Sequence, residues 1–200
     1  MRFAQLTHVR VLVVDESPER ADSVRDGLHR AGYEVTASLS SPLALLKTIE
    51  ELKPDVIVID TDSPSRDVLE HLVMVTQHTP RPVVMFASDG APETIREAVR
   101  AGVSAYVVDG LDPKRIRAIV DAAVAGFDEL QGVRAQLAEA QLKLFERKLI
   151  ERAKGVVMKT RGLDEEAAYA FMRKAAMDRK LKLAELAQRV IDAAELISGA

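Results

Sequence analysis

Two sets of residues in this sequence have side chains and spacing suited to chemistry. The first is acidic: Asp15 and Glu16 follow the apolar run VLVV, and Asp60 follows VIVI. Carboxylates gathered at one point repel unless a cation or a proton relieves them. Hard oxygen donors of this kind suit Mg²⁺, and a carboxylate beside bound Mg²⁺ can attack phosphorus as a nucleophile. The second set is basic: Arg152, Lys154, Lys159, Arg161, Arg173, Lys174, Arg179, Lys180, Lys182 and Arg189. From Arg134 onward there are 14 Lys and Arg against 10 Asp and Glu, a net of +4, leaving 14 against 21, or −7, for the remainder. Singly, each cation reads as solvated helix surface with a salt pair nearby. As a cluster, with Arg179, Lys180 and Lys182 crowding one turn, they suit contacts to phosphate. Tyr169 is suited either to stacking on an unpaired base or to packing at a helix edge.

Other chemistries find little support. The four histidines, His8, His29, His71 and His78, are scattered without metal-ligand spacing. No nucleophile–base pair or glycine-rich phosphate loop accompanies them, so an enzyme is not expected. Cysteine is absent, which excludes a disulfide framework and fits a reducing compartment. The start, MRFAQLTHVRVLVVDESPER, lacks the long apolar stretch of a signal peptide or membrane span, so the expected location is cytoplasmic. An apolar content of 48% with 30% charged residues is that of an ordinary folded protein.

The elements that must position the carboxylates alternate between short β-branched runs and helical stretches. Strands are expected at Val9–Val14, Tyr33–Ala37, Val56–Ile59, Val83–Phe86 and Ala105–Val108. Helices are expected at Pro18–Ala31, Pro42–Glu51, Arg66–Gln77, Pro92–Ala101 and Pro113–Ala125. Five strands each followed by a helix imply a doubly wound α/β fold with a five-stranded parallel sheet covered on both faces. In such a sheet, functional residues gather beyond the C-terminal strand ends, where Asp15, Glu16 and Asp60 fall.

Nothing breaks the helical pattern decisively between Pro113 and about Lys159. Leu130, Leu137 and Leu144 recur every seven residues, with Val133 and Ala140 between them. That is a short coiled-coil seam, best buried against a second copy, and a homodimer is expected. Three further patterns fill the tail as a three-helix bundle. Leu149, Ile150, Ala153, Val156 and Val157 form the first apolar face; Ala168, Phe171, Met172 and Ala175 form the second. Leu183, Leu186, Ala187, Val190, Ile191 and Ala194 form the third. Gly162 stops the first helix and Asp164 caps the second. The expected domains are 1–127 for the α/β unit, 128–150 for the linker helix and 151–200 for the bundle. Physics alone leaves DNA and RNA both open for the tail, since a helix–turn–helix can be drawn through its second and third helices.

Residues 8–127 resemble the receiver domains of bacterial two-component response regulators. VLVVDESPER matches the acidic-pair region, and DVIVIDTDSP places Asp60 four residues before Pro64, at the phospho-acceptor position. RPVVMFASDG and AGVSAYVVDG match the regions of the fourth and fifth strands. By that resemblance a receiver-like, flavodoxin-like fold is implied, with a metal site at Asp15, Glu16 and Asp60. Two residues depart from the pattern: Ala87, followed by Ser88, stands where receivers put a Thr or Ser hydroxyl, and Asp109 stands where they put a lysine. A carboxylate in place of the phosphoryl-pairing cation turns attraction into repulsion. Asp60 is therefore not expected to be the physiological switch. A pseudo-receiver answering to a protein partner is expected, with no required cofactor and Mg²⁺ as the fitting ion.

The tail from Glu151 to Ile191 resembles the ANTAR domain, the RNA-binding antitermination module named for the AmiR and NasT regulators. Glu151, Ala153, Lys154 and Gly155, then Glu166, Ala167 and Tyr169, then Leu183 and Ala187, carry that likeness. The runs DTDSPSRDV, RPVVMF and AYVVDGL are similar to NasT-type regulators of nitrate and nitrite assimilation. The resemblance implies a transcription antiterminator that binds leader RNA with paired hairpins and is held by a nitrate-sensing, NasS-like partner protein. RNA contacts are then expected at Lys154, Lys159, Arg161, Arg173, Arg179 and Lys182. The alternatives are a phosphorylation-activated ANTAR regulator of another operon and a DNA-binding response regulator.

Overall fold

The computed structural model describes residues 9–15, 17–41, 44–108 and 114–198. Five strands form one parallel sheet: β1 (Arg10–Asp15), β2 (Glu34–Leu39), β3 (Val56–Thr61), β4 (Val83–Ala87) and β5 (Ala105–Val108), in the order β2-β1-β3-β4-β5. Four helices alternate with them: α1 (Pro18–Arg30), α2 (Leu45–Leu52), α3 (Arg66–His78) and α4 (Pro92–Arg100). The strand residues are apolar on both faces because both faces are covered. One core holds Leu12, Val14, Ile57, Ile59, Val83 and Met85 with Leu72, Val75 and Ala98 of α3 and α4. The other holds Val11, Val13, Val58, Val84 and Phe86 with Val24, Leu28, Ile116 and Val120. This is the doubly wound receiver-like architecture expected.

Local chemistry sets where the elements start and stop. Ser65 caps α3 by accepting from Val68 N at 3.3 Å. At the end of α4 the chain turns through Gly102, whose φ of 102° favours glycine. A Cβ there would meet Thr76 Cγ2 at 2.6 Å, so the turn also needs glycine for space. The helix expected from Pro42 starts at Leu45, and Pro42 lies outside the described residues. β1 and β3 run one and two residues further than expected, so Asp15 is the last residue of β1 and Asp60 the penultimate residue of β3, rather than loop residues.

The fifth helix, α5, is a single element from Ile116 to Arg161. Pro113, its expected start, lies outside the described residues. Leu130, Leu137 and Leu144 are 48%, 57% and 55% exposed, so the heptad seam is uncovered within one copy of the chain. Two more helices follow, α6 (Glu165–Asp178) and α7 (Leu183–Ser198). The chain divides into two compact units, Met1–Gly132 and Val133–Ala200. In the second, Ala153, Val157, Ala168, Met172, Ala176, Leu186, Ala187 and Ile191 form a separate core. Asp164 caps α6 by accepting from Ala167 N at 2.8 Å. Phe171, expected inward, is 37% exposed; Ala176 takes the buried position beside Met172. On a helix Ala168, Met172 and Ala176 line up at i, i+4 spacing, which leaves Phe171 at the flank. No described helix is long and apolar enough to cross a membrane.

Candidate functional site

The acidic pocket is built by strand register. β1 and β3 pair with Asp15 opposite Asp60, so the sheet places two carboxylate-bearing residues side by side at its C-terminal edge. The Asp15 side chain is fully buried; its Oδ1 accepts from Ser17 N at 2.7 Å, and its Oδ2 is buried without a hydrogen-bond partner. Asp60 is 9% exposed. Burial, and after it the nearby Asp15 carboxylate, pushes the Asp60 carboxyl up to about 6; Asp62 adds to the rise, while Arg20 and a hydrogen bond from the Thr61 backbone oppose it. Arg20, in the first turn of α1, supplies a cation here. Its Nη1 donates to Asp62 Oδ1, and its Nε lies 3.6 Å from Asp15 Oδ1.

A further acidic residue, Asp89, ties the surrounding loops together and was missed by sequence reasoning. Its Oδ2 accepts from Ser63 Oγ at 2.9 Å and Thr94 Oγ1 at 3.0 Å, and its Oδ1 from Ala91 N at 2.9 Å. These donors hold its carboxyl below the ordinary range, the Ala91 N–H first. Its backbone carbonyl accepts from Tyr106 OH at 2.7 Å, which links β5 to the same loop. Ser88 N and Asp89 N both donate to Asp62 O at 3.0 Å. The only advance signal was a Ser/Asp/Thr-rich pair of loops, since such side chains cap backbone turns.

Of the residues expected to hold a metal, Asp15 and Asp60 are together, and Glu16 lies outside the described residues. The orphaned, buried Asp15 Oδ2 and the Asp60 carboxyl are hard oxygen donors that fit Mg²⁺. Among the described residues, no three acidic or histidine side chains gather closely enough to hold an ion. Ala87 is buried at the end of β4 beside Thr61 and brings no hydroxyl; Ser88 is exposed. Asp109 lies outside the described residues.

The basic tail sorts its cations by partner. Lys154, expected to touch RNA, is instead 8% exposed, with Nζ 2.6 Å from Glu151 Oε2 and 2.7 Å from Glu165 Oε1. Both carboxylates raise its pKa, Glu151 first. Its charge is spent joining α5 to α6. Arg152 pairs with Glu195 at 2.7 Å and so joins α5 to α7. Lys159, Arg161, Arg173, Arg179 and Lys182 are exposed. The Arg161 guanidinium lies 4.2 Å from the Phe171 ring centroid, a cation–π contact that joins the C-terminal end of α5 to α6. Between α6 and α7, Lys180 has φ 56°. Its N donates to Met177 O at 3.1 Å and Leu181 N to Ala176 O at 3.0 Å, the Schellman arrangement, with lysine where glycine is usual. Tyr169 is 44% exposed.

Residues 11–121 match the response regulator receiver domain. The chain belongs to the response regulator receiver family. Residues 138–191 match the ANTAR domain, so the receiver is joined to an ANTAR output domain. The chain is 26% identical over 183 residues to the transcriptional regulatory protein PdtaR of Mycobacterium tuberculosis, covering 92% of this chain and 89% of that one. It is 38% identical over 102 residues to a protein-glutamate methylesterase/protein-glutamine glutaminase of Archaeoglobus fulgidus, covering 50% of this chain but only 29% of that enzyme. Among solved structures, the response regulator domain of Thermotoga maritima CheB aligns with a TM-score of 0.50 at 27% identity, covering 60% of this chain and 97% of that one.

Proposed function

We propose that this response regulator is an RNA-binding transcription antiterminator of the NasT type. It binds leader RNA with paired hairpins, prevents a terminator from forming, and permits read-through into nitrate or nitrite assimilation genes. The observation that carries the reading is a receiver joined in one chain to an ANTAR domain whose exposed cations, Lys159, Arg161, Arg173, Arg179 and Lys182, remain available for phosphate. The similar PdtaR is named a transcriptional regulatory protein, which favours a role in transcription. Two hairpins call for two basic units, and the uncovered seam of Leu130, Leu137 and Leu144 supports a homodimer through a coiled coil.

The signal comes from a nitrate-sensing, NasS-like protein rather than from phosphate, because Ala87 offers no hydroxyl and the pocket around Asp60 is already rich in negative charge. Gel-shift competition tests the output. The full chain should prefer a two-hairpin leader RNA, from upstream of a nitrate reductase operon, over duplex DNA of the same length. Equal competition by the duplex would sink the RNA reading. Stoichiometric acyl phosphate at Asp60 after incubation with a small phosphodonor and Mg²⁺ would sink the partner-driven input.

A further inference from the structure

We propose that Arg20 is a built-in counter-cation of the acidic pocket, competing with a divalent ion for Asp15 and Asp62 and so holding the receiver in an ion-free condition. Its placement runs against local preference. The first turn of a helix carries partial positive charge from unsatisfied N–H groups and favours acidic side chains. Arg20 sits in that turn of α1, and the Ser17 side chain makes no capping hydrogen bond there. What holds the guanidinium is tertiary: Nη1 donates to Asp62 beyond β3, and Nε lies 3.6 Å from the buried Asp15 at the end of β1. One cation thus spans the same strand ends that a metal would bridge.

The pocket retains an unmet demand for positive charge. Asp15 Oδ2 is buried with no hydrogen-bond partner, and Arg20 Nε is likewise buried without one, its nearest acceptor being too distant for a bond. The guanidinium therefore neutralises the site without satisfying it. Two effects of Arg20 act against an entering ion with the same sign. It occupies an oxygen donor on Asp62, and its fixed charge, 3.6 Å from Asp15 Oδ1, repels a dication drawn to the same carboxylates. Because it hydrogen-bonds to Asp62 in the loop after β3, an ion that displaced it would also release that loop from α1. The inference goes beyond the RNA output proposed above and does not depend on it.

Mn²⁺ and Mg²⁺ titrations of the full chain test this, followed by calorimetry and, for Mn²⁺, by the paramagnetic signal of the free ion. Arg20→Gln keeps a polar side chain but shortens it and removes its charge. It should tighten Mn²⁺ binding by about tenfold, whereas Arg20→Lys should stay near the parent. Adding Asp60→Asn to Arg20→Gln should abolish the gain. A gain below about threefold, or one that survives Asp60→Asn, would overturn the proposal. A measurement on the unaltered chain guards against a variant that folds poorly. The Arg20 Nε–H resonance should shift toward that of a solvated arginine as Mg²⁺ saturates, and a resonance unmoved at saturation would equally overturn it.

Discussion

Replacing Lys180 by Gly should make the ANTAR domain more stable and a weaker RNA binder at once. Lys180 closes α6 with φ 56°, the left-handed region. Holding an L-residue there costs about 1–2 kcal/mol. Glycine escapes that cost but loses about 0.5–1 kcal/mol more chain entropy on folding. The net expectation is a gain of roughly 0.5–1 kcal/mol, since both Schellman bonds are backbone bonds and survive the change. For a unit of this size that corresponds to a rise of roughly 2–8 °C in Tm. Lys180 is exposed in the same turn as Arg179 and Lys182; if it adds a further phosphate contact to that face in the proposed complex, its loss should shallow the slope of log K against log salt by about 0.7–0.9. Circular-dichroism melts of the full chain read the first effect, and filter binding of two-hairpin RNA between 50 and 200 mM salt, a range of about fourfold, reads the second. The opposed signs make the test sharp, because weaker binding by a more stable protein is not an unfolding artefact. A lower Tm would refute the strain, and an unchanged slope would remove Lys180 from the RNA face.

Asp60→Asn should stabilise the receiver in a pH-dependent way. The folded carboxyl titrates at about 6 against an ordinary 3.8, so between those values the unfolded chain has released a proton that the folded chain still holds. Stability therefore falls as pH rises through that window, and urea unfolding should show a gain for the variant of up to about 3 kcal/mol at pH 8 and almost none below pH 4. Lys154→Met should lower the Tm of the ANTAR domain while leaving the RNA salt slope unchanged, because its ammonium is already held by Glu151 and Glu165; a shallower slope would return it to the RNA face. Gly102→Ala should cost more than about 2 kcal/mol in denaturant unfolding, from φ 102° and the clash with Thr76; a smaller cost would mean that the α3–α4 contact yields easily. Leu137→Glu should convert a dimer to a monomer in sedimentation equilibrium, and an unchanged mass would place the dimer seam elsewhere.

The receiver was legible because its sheet is buried on both faces: continuous β-branched runs such as Val56–Ile59 have few other solutions. Asp15 and Asp60 were legible for the same reason, since runs of that kind end at the functional edge of a parallel sheet. Arg20 was not, because a cation in a helix's first turn reads as exposed surface until the fold brings Asp62 to it. The partners of Lys154 were hidden for a related reason. Its spacing from Glu151 is a common surface pair, and only the arrival of α6, with Glu165, encloses it. Phe171 was placed inside by its apolar spacing, yet Ala168, Met172 and Ala176 take the buried line of α6 at i, i+4 spacing and leave it at the flank. Apolar periodicity is recorded along one helix, whereas the identity of a cation's partner depends on which helices meet.

Burial first, and after it the Asp15 and Asp62 carboxylates, make a further negative charge costly at Asp60, despite Arg20. Forming an acyl phosphate would replace one carboxylate charge by nearly two on the phosphoryl group. The field that keeps a proton on Asp60 to about pH 6 would oppose that gain, and Arg20 is already committed to Asp62. Ala87 adds no donor at the strand end beside Thr61. A protein partner needs none of this chemistry, because it can engage the receiver surface without adding charge at Asp60. Restoring a hydroxyl through Ala87→Thr, together with Arg20→Lys, should therefore leave phosphodonor labelling of Asp60 low. The negative field remains in that double variant, and labelling that rose to stoichiometry would show that the missing donor, rather than the field, had been the obstacle.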